Sequence, residues 1–232
     1  MKTMKNMTKI MTINKHISLV LAVIMLLSVF APLMSSFADN SDIVIKNEKD
    51  YLNLVKKCKT DTWSKGKTVT LANDIDLSKT DFSPIPIFGG HFDGKGYTIS
   101  GIKINKKGSA TGLFRYIQSG ATVENLNVSG TVTPDGTQKN IGGIVGSLSG
   151  TLKNCTFSGN IKAKTNVGGI AGYVTETGVI DSCTFSGSVI ATSYTGGIAG
   201  QNFGTISNCE NKGSINTKNT EESKTIQDVN ID

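Results

Sequence analysis

The sequence predicts an all-β chain folded as a right-handed parallel β-helix with a short helical cap at its N-terminal end. Three observations predict it. A Gly-Ile-x-Gly block recurs at Gly143–Gly146, Gly169–Gly172 and Gly197–Gly200, with its leading glycines 26 and 28 residues apart. A second block follows each copy: Thr151–Gly159, Val179–Gly187 and Thr205–Gly213, whose cysteines Cys155, Cys183 and Cys209 lie 28 and 26 residues apart. Between the blocks stand only short β-branched runs punctuated by glycine. A fixed period of this length marks a solenoid, because one unit cannot bury its apolar face without its neighbours. Within the second block, Leu152, Asn154 and Thr156 alternate with Lys153, Cys155 and Phe157, which is the period of a strand. A third run, Asn160–Ala163 or Ser188–Ala191, brings the expectation to three short strands per coil. The Leu-x-x-Leu-x-Leu frame of a leucine-rich horseshoe is missing, and a propeller blade needs a longer period and four strands.

Taken in chain order, the first element is an export signal over residues 1–38. Lys2, Lys5, Lys9 and Lys15 precede an apolar run from Ile17 to Met34, and Ser36-Phe37-Ala38 offers small residues where a signal peptidase reads. The apolar run approaches the ~18–20 residues of a membrane span, so a retained anchor stands as the alternative. Removing residues 1–38 takes four lysines and no acid, and the net charge falls from +6 to +2. The basic balance therefore belongs largely to the signal and argues against nucleic acid as a partner. The single arginine, Arg115, weakens a phosphate-binding reading further.

Residues 39–66 are expected to cap the first coil. Asn47-Glu-Lys-Asp50 ahead of Tyr51, Leu52, Leu54 and Val55 predicts an N-capped amphipathic helix. The β-helix is expected over 67–216. An early, divergent coil is visible in Thr111-Gly-Leu-Phe-Arg115 followed by Ala121–Gly130, and Tyr97–Ile104 resembles a second block alone. At Gly142-Gly143 and its copies the coil must turn while stacked on neighbours ~4.8 Å away. Either a positive φ or a lack of room for Cβ selects glycine there. Equivalent residues should stack in columns, Ile144 with Ile170 and Ile198, Phe157 with Phe185. In the last coil these aromatics give way to Asn211 and the preceding threonine to Glu210, which guards the open edge. Residues 217–232 read as a polar, unstructured tail.

The blocks Gly143-Ile-Val-Gly146, Gly169-Ile-Ala-Gly172 and Gly197-Ile-Ala-Gly200 resemble the GLUG motif, a repeat of bacterial extracellular proteins. Ala72–Leu77, Phe82–Pro86 and Phe92–Ile99 are similar to the lead-in that such proteins carry, so the likeness runs over residues 43–216. It implies the β-helix architecture and an extracellular or cell-surface location, and it implies no particular ligand. Some such repeats accompany immunoglobulin-cleaving metallopeptidases, but no peptidase domain is recognisable beside these. One departure is Arg115, which stands where the fourth-position glycine is expected.

The search for chemistry yields no catalytic, cofactor-binding or metal site. A zinc peptidase needs a His-Glu-x-x-His pattern, whereas His91 is followed by Phe92 and stands alone. Glycoside hydrolysis needs paired acids and elimination needs a base, often with calcium on clustered carboxylates. Asp93, Glu124, Asp135, Glu176 and Asp181 read as scattered in register. Asp74 and Asp76, with Asp93, are the candidate set for an assembled acid site, and Arg115 is the one candidate base. The cysteine column admits three readings: a buried apolar ladder, one disulfide, or a metal site. Cys58 lies in the cap with no evident partner. Asn154, Asn208, Thr156, Thr184 and Lys153 form either a solvated face or a polar stripe for an extended polymer. The expectation is an exported, noncatalytic repeat module that contacts an extracellular glycan or matrix protein. A polysaccharide lyase or hydrolase, and a stalk or fragment of a larger surface protein, are the alternatives.

Overall fold

A computed structural model describes residues 42–135 and 138–217. The expected export signal and the tail beyond Thr217 lie outside the described residues. The chain opens with β1 (Ile43–Ile45) and α1 (Glu48–Lys57), then winds through six coils. The first holds β2 (Thr68–Leu71), β3 (Ile75–Asp76) and β4 (Ile85–Phe88), and the second β5 (His91–Asp93), β6 (Thr98–Ile104) and β7 (Phe114–Ile117). The third adds a fourth strand: β8 (Thr122–Glu124), β9 (Asn127–Val132), β10 (Lys139–Gly142) and β11 (Val145–Leu148). The fourth repeats it as β12 (Thr151–Lys153), β13 (Thr156–Lys162), β14 (Thr165–Gly168) and β15 (Ala171–Val174). So does the fifth, with β16 (Val179–Asp181), β17 (Thr184–Ala191), β18 (Ser193–Gly196) and β19 (Ala199–Asn202). The last consists of β20 (Thr205–Ser207), β21 (Glu210–Asn211) and β22 (Ser214–Thr217).

Stacking produces four parallel sheets. Sheet A runs β1-β2-β5-β8-β12-β16-β20, and sheet B runs β3-β6-β9-β13-β17-β21 with β22 also on β17. Sheet C runs β4-β7-β11-β15-β19, and the short sheet D holds β10-β14-β18. The parallel β-helix expected from the repeats is the fold of the chain. Two details differ from expectation. The run after Gly159 is no separate strand but the continuation of β13, and the missing strands flank the Gly-Gly-Ile corner, one on sheet D and one on sheet C. The alternation within the second block also breaks. Asn154 has φ +49°, so its left-handed backbone resets the phase and Leu152, Cys155 and Phe157 all point inward.

The core is a set of in-register columns. Val69, Phe92, Val123, Leu152 and Ile180 follow one another down sheet A. On sheet B, Ile99, Val128, Phe157 and Phe185 do the same, and the two phenyl rings lie 6.3 Å apart and 7° from parallel. Each such buried side chain contributes about 1.5–3 kcal/mol. At the N-terminal end, the Asn47 side chain accepts from the Asp50 N–H at 3.0 Å, and the Asp50 carboxylate accepts from the Lys46 N–H at 3.0 Å. These caps hold α1 so that Tyr51, Leu54 and Val55 are buried over the first coil. The Tyr51 ring stacks on Phe82 at 6.1 Å and its hydroxyl donates to the Ser83 carbonyl at 3.0 Å. β1, expected as part of the cap, instead extends sheet A by pairing with β2.

The repeated glycines let sheet D fold back onto sheet C at backbone contact. A Cβ on Gly146 would fall on the Ala110–Thr111 backbone, on Gly172 on Asn140–Ile141, and on Gly200 on Asn166–Val167. A Cβ on Gly143 would enter the Phe157 ring and reach Gly169 O at 2.6 Å. Lack of room, not positive φ, therefore selects glycine at this corner. The same contact explains Arg115. It occupies the Gly146 position of the second coil, and the first coil has no sheet-D strand to lie across it.

Candidate functional site

The acids singled out from sequence do not converge. Asp74 accepts from the Thr98 N–H of the next coil at 2.8 Å, and Asp76 ties down its own turn by accepting from the Ser78 N–H at 2.9 Å. The Ser78 N–H and hydroxyl hold the Asp76 carboxyl below its usual value. Asp93 lies on another sheet. It accepts from the Lys95 N–H at 2.9 Å and the Asn125 amide at 3.1 Å, and pairs with the Lys95 ammonium at 2.8 Å. Burial pushes the Asp93 carboxyl up, and these donors together outweigh it and hold the group below its ordinary value. Of the five acids read as scattered, Asp93, Glu124 and Asp181 share one register column, and Asp135 and Glu176 lie outside it. Asp93, Glu124, Lys153, Asp181 and Ser207 form one outward column of sheet A. His91 is not alone either, since its Nε2 lies 2.8 Å from Glu124 Oε1 on the next coil. Among the described residues, no group of three His, Cys, Asp or Glu side chains is placed to hold a metal ion.

The polar residues read from sequence as either a solvated face or a stripe lie at and beside one corner of the coil. Asn125, Asn154, Ser182 and Asn208 all adopt φ near +50° at the corner between sheets A and B. Asparagine tolerates that backbone and its amide can bridge coils. Asn154 Nδ2 donates to Asn125 Oδ1 at 2.9 Å, while Asn208 Nδ2 donates to Asp181 Oδ1 at 2.9 Å. Thr156 Oγ1 donates to Asn127 Oδ1 at 2.7 Å. Asn154, Asn208 and Thr156 are engaged between coils; Lys153, Asn154 and Asn208 are exposed, while Thr156 and Thr184 are half-buried. A second ladder joins the other sheets: Asn166 Nδ2 donates to Asn140 Oδ1 at 2.8 Å and to Gln201 Oε1 at 2.9 Å.

The cysteine column is a buried one. Cys155 and Cys183 are fully enclosed, Cys209 is half-buried in the last coil, and all four cysteines carry free thiols. Cys155, Cys183 and Cys209 donate to the carbonyls of Lys153, Asp181 and Ser207 at 3.2, 3.4 and 3.1 Å. Hydrogen bonding with Cys155 holds the Cys183 thiol well above its usual range, and bonding with Cys183 does the same for Cys209. Cys58, in the cap, is pushed up to about 12 by burial. Thiols kept protonated in this way are poor nucleophiles and poor metal ligands.

The outer face of sheet C is the surface that sequence reasoning passed over. Ile87, Tyr116, Ser147, Tyr173 and Gln201 occupy one register column on it. Tyr116 is 40% exposed, and Phe203, 53% exposed, packs on the Tyr173 ring at 5.6 Å. The Arg115 guanidinium stands 5.6 Å from the Tyr116 ring and donates to the carbonyls of Ala110 and Ser109 at 3.3 Å. Beside it opens a hollow of about 190 Å³, between Phe82–Pro84 and the loop Asn105–Ser109, to which Lys103, Lys106 and Lys107 contribute. The signal for this face was present. Tyr173 follows its Gly-Ile-x-Gly frame, and Tyr116 the divergent Gly112–Arg115 copy, at the same offset, but that offset becomes meaningful only once the coils are in register.

Comparison with known proteins fits this geometry. A family model described as the GLUG motif matches residues 137–162, 164–190 and 191–216. The chain carries three GLUG repeats in tandem. Each GLUG unit runs through sheets D, C, A and B in turn, so its Gly-Ile-x-Gly signature is the D–C corner. The divergent coil at Thr111–Gly130 lies outside the matched residues yet shares their path, bridging Ile141 through Thr111. Halomucin of Haloquadratum walsbyi (strain DSM 16790 / HBSQ001) is 30% identical over 148 residues, covering 57% of this chain. The chain spans 2% of that relative's length. A crystal structure from Bacteroides ovatus, provisionally described as an immunoglobulin A1 protease, is 20% identical with a TM-score of 0.49, covering 82% of each chain.

Proposed function

We propose that this chain is an exported, noncatalytic extracellular module that holds an extended polymer, a glycan or a matrix protein, along an outer face of its solenoid. The observation that carries this reading is register. Outward side chains repeat at one strand spacing, about 4.8 Å, in in-register columns over five to seven strands. An evenly spaced, in-register surface suits a ligand that is itself linear and periodic. The candidate acids are engaged in turns and ladders, which favours binding over turnover. The GLUG repeats and the N-terminal segment read as an export signal support an extracellular setting.

The test is a panel of polysaccharides and extracellular-matrix proteins probed with the full chain. Saturable binding with no change in the ligand's length is the expected result. Release of reducing or unsaturated sugar by the wild-type chain, lost in Asp93→Asn, would instead establish the lyase or hydrolase alternative.

A further inference from the structure

We propose that the outer face of sheet C, with the basic hollow at its N-terminal end, is a binding groove for an acidic β-1,4-linked polysaccharide. The proposal rests on the polymer-binding reading and names its surface and ligand class. Tyr116 and Tyr173 stand in one column two coils apart, so their rings are separated along the axis by about 9.6 Å. In an extended β-1,4 chain successive pyranoses are turned over, and a sugar presents the same face again at every second residue. That repeat is of the same length as the tyrosine spacing. Tyr116 and Tyr173 can therefore lie under alternate sugars, as aromatic platforms do under stacked rings elsewhere. Ser147, between them, leaves the intervening sugar room. Phe203, against Tyr173, extends the platform by one more ring.

Charge supplies the second, independent observation. Lys103, Lys106, Lys107 and Arg115 border the hollow. Among the described residues the one acid paired with this group is Asp81, at 2.8 Å from Lys106. Arg115 stands both at the hollow and beside the Tyr116 ring, so cationic pocket and aromatic column form one continuous surface. Sheet D begins only with β10 in the third coil, preceded by the single Thr111 bridge of the second, so the first coil places no sheet-D segment over Arg115 and the space above it is left uncovered. A carboxylate or sulfate on a sugar next to Tyr116 would meet fixed positive charge there. Neutral glycans would gain the stacking alone.

Titration of the full chain with defined hexasaccharides tests this. The probes are a β-1,4 oligouronate, a sulfated β-1,4 oligosaccharide, neutral chitohexaose and α-1,4 maltohexaose. The proposal expects either or both acidic probes to bind at least tenfold more tightly than chitohexaose, and chitohexaose more tightly than maltohexaose. Which acidic probe binds better separates uronate from sulfate recognition. Tyr116→Ala with Tyr173→Ala should abolish binding of every probe. Lys103→Glu with Lys107→Glu should remove the acidic preference and leave chitohexaose affinity unchanged, a readout that loss of folding would not give. Equal melting temperatures check both variants. Acidic-probe binding that survives both pairs of substitutions overturns this groove while leaving the polymer-binding reading standing. No binding to any hexasaccharide, with saturable binding to another polymer on the panel, likewise overturns the groove alone. No binding to any polymer overturns both.

Discussion

At the scale of single residues, the fold depends on polar side chains that join one coil to the next as much as on the apolar columns. Asp93 is the clearest case, because its carboxylate gathers two backbone and side-chain donors and one ammonium in a largely buried place. Its folded value lies below the unfolded value of about 3.9. The stability it contributes is therefore complete above that unfolded value and is lost as pH falls through the folded one. Thermal melts of Asp93→Asn should accordingly be less sensitive to acid below about pH 4 than those of the parent chain. An unchanged acid slope would show that the other carboxylates govern it. This dependence was hidden in the sequence, where Asp93 is one acid among several and its partner Asn125 lies a full coil away. The left-handed corners were hidden for the same reason. Asn125 and Asn154 read as ordinary polar positions of an alternating strand until their φ values are known.

At the scale of elements, the D–C corner is where sequence and structure agree most closely. The recurrence of Gly-Ile-x-Gly exposed the period and the turn, and therefore the fold class. It did not expose the fourth strand, because Thr165–Gly168 and Ala171–Val174 are short and their glycines depress strand propensity. They form strands because tertiary stacking supplies partners above and below, and their glycines are needed for sheet D to approach sheet C. Gly172→Ala puts a methyl group into the Asn140–Ile141 backbone, which cannot swing aside as a side chain would. Overpacking of this kind costs about 1–3 kcal/mol or more. The same change at Gly120, where nothing lies near but φ is +80°, tests backbone strain without a clash. The variant at Gly172 should melt at the lower temperature of the two. A smaller loss there would refute close packing as the reason for the motif. The aromatic face needed the coil register of sheet C to be visible, and the basic hollow depends on where sheet D starts, which no local pattern announces.

At the scale of the whole molecule, the unit of construction is one coil. Thr156 pairs with Thr184, Phe157 with Phe185, and Gly159 with Gly187, each in the same register. Removing residues 156–183 would join Cys155 to Thr184 at equivalent places. The shortened chain should fold with one cooperative transition, and scattering should find it shorter by about one strand spacing, ~4.8 Å. Removing half that length should leave no folded product, because every later column would lose its partner. The apolar columns and polar ladders thus act as a ruler graduated in whole coils. Genes built from near-identical segments gain and lose copies by unequal recombination, and here each such event would leave a foldable product. A lineage could lengthen or shorten the reach of this protein in fixed steps, keeping the N-terminal cap unaltered and the interlocking surfaces already in place.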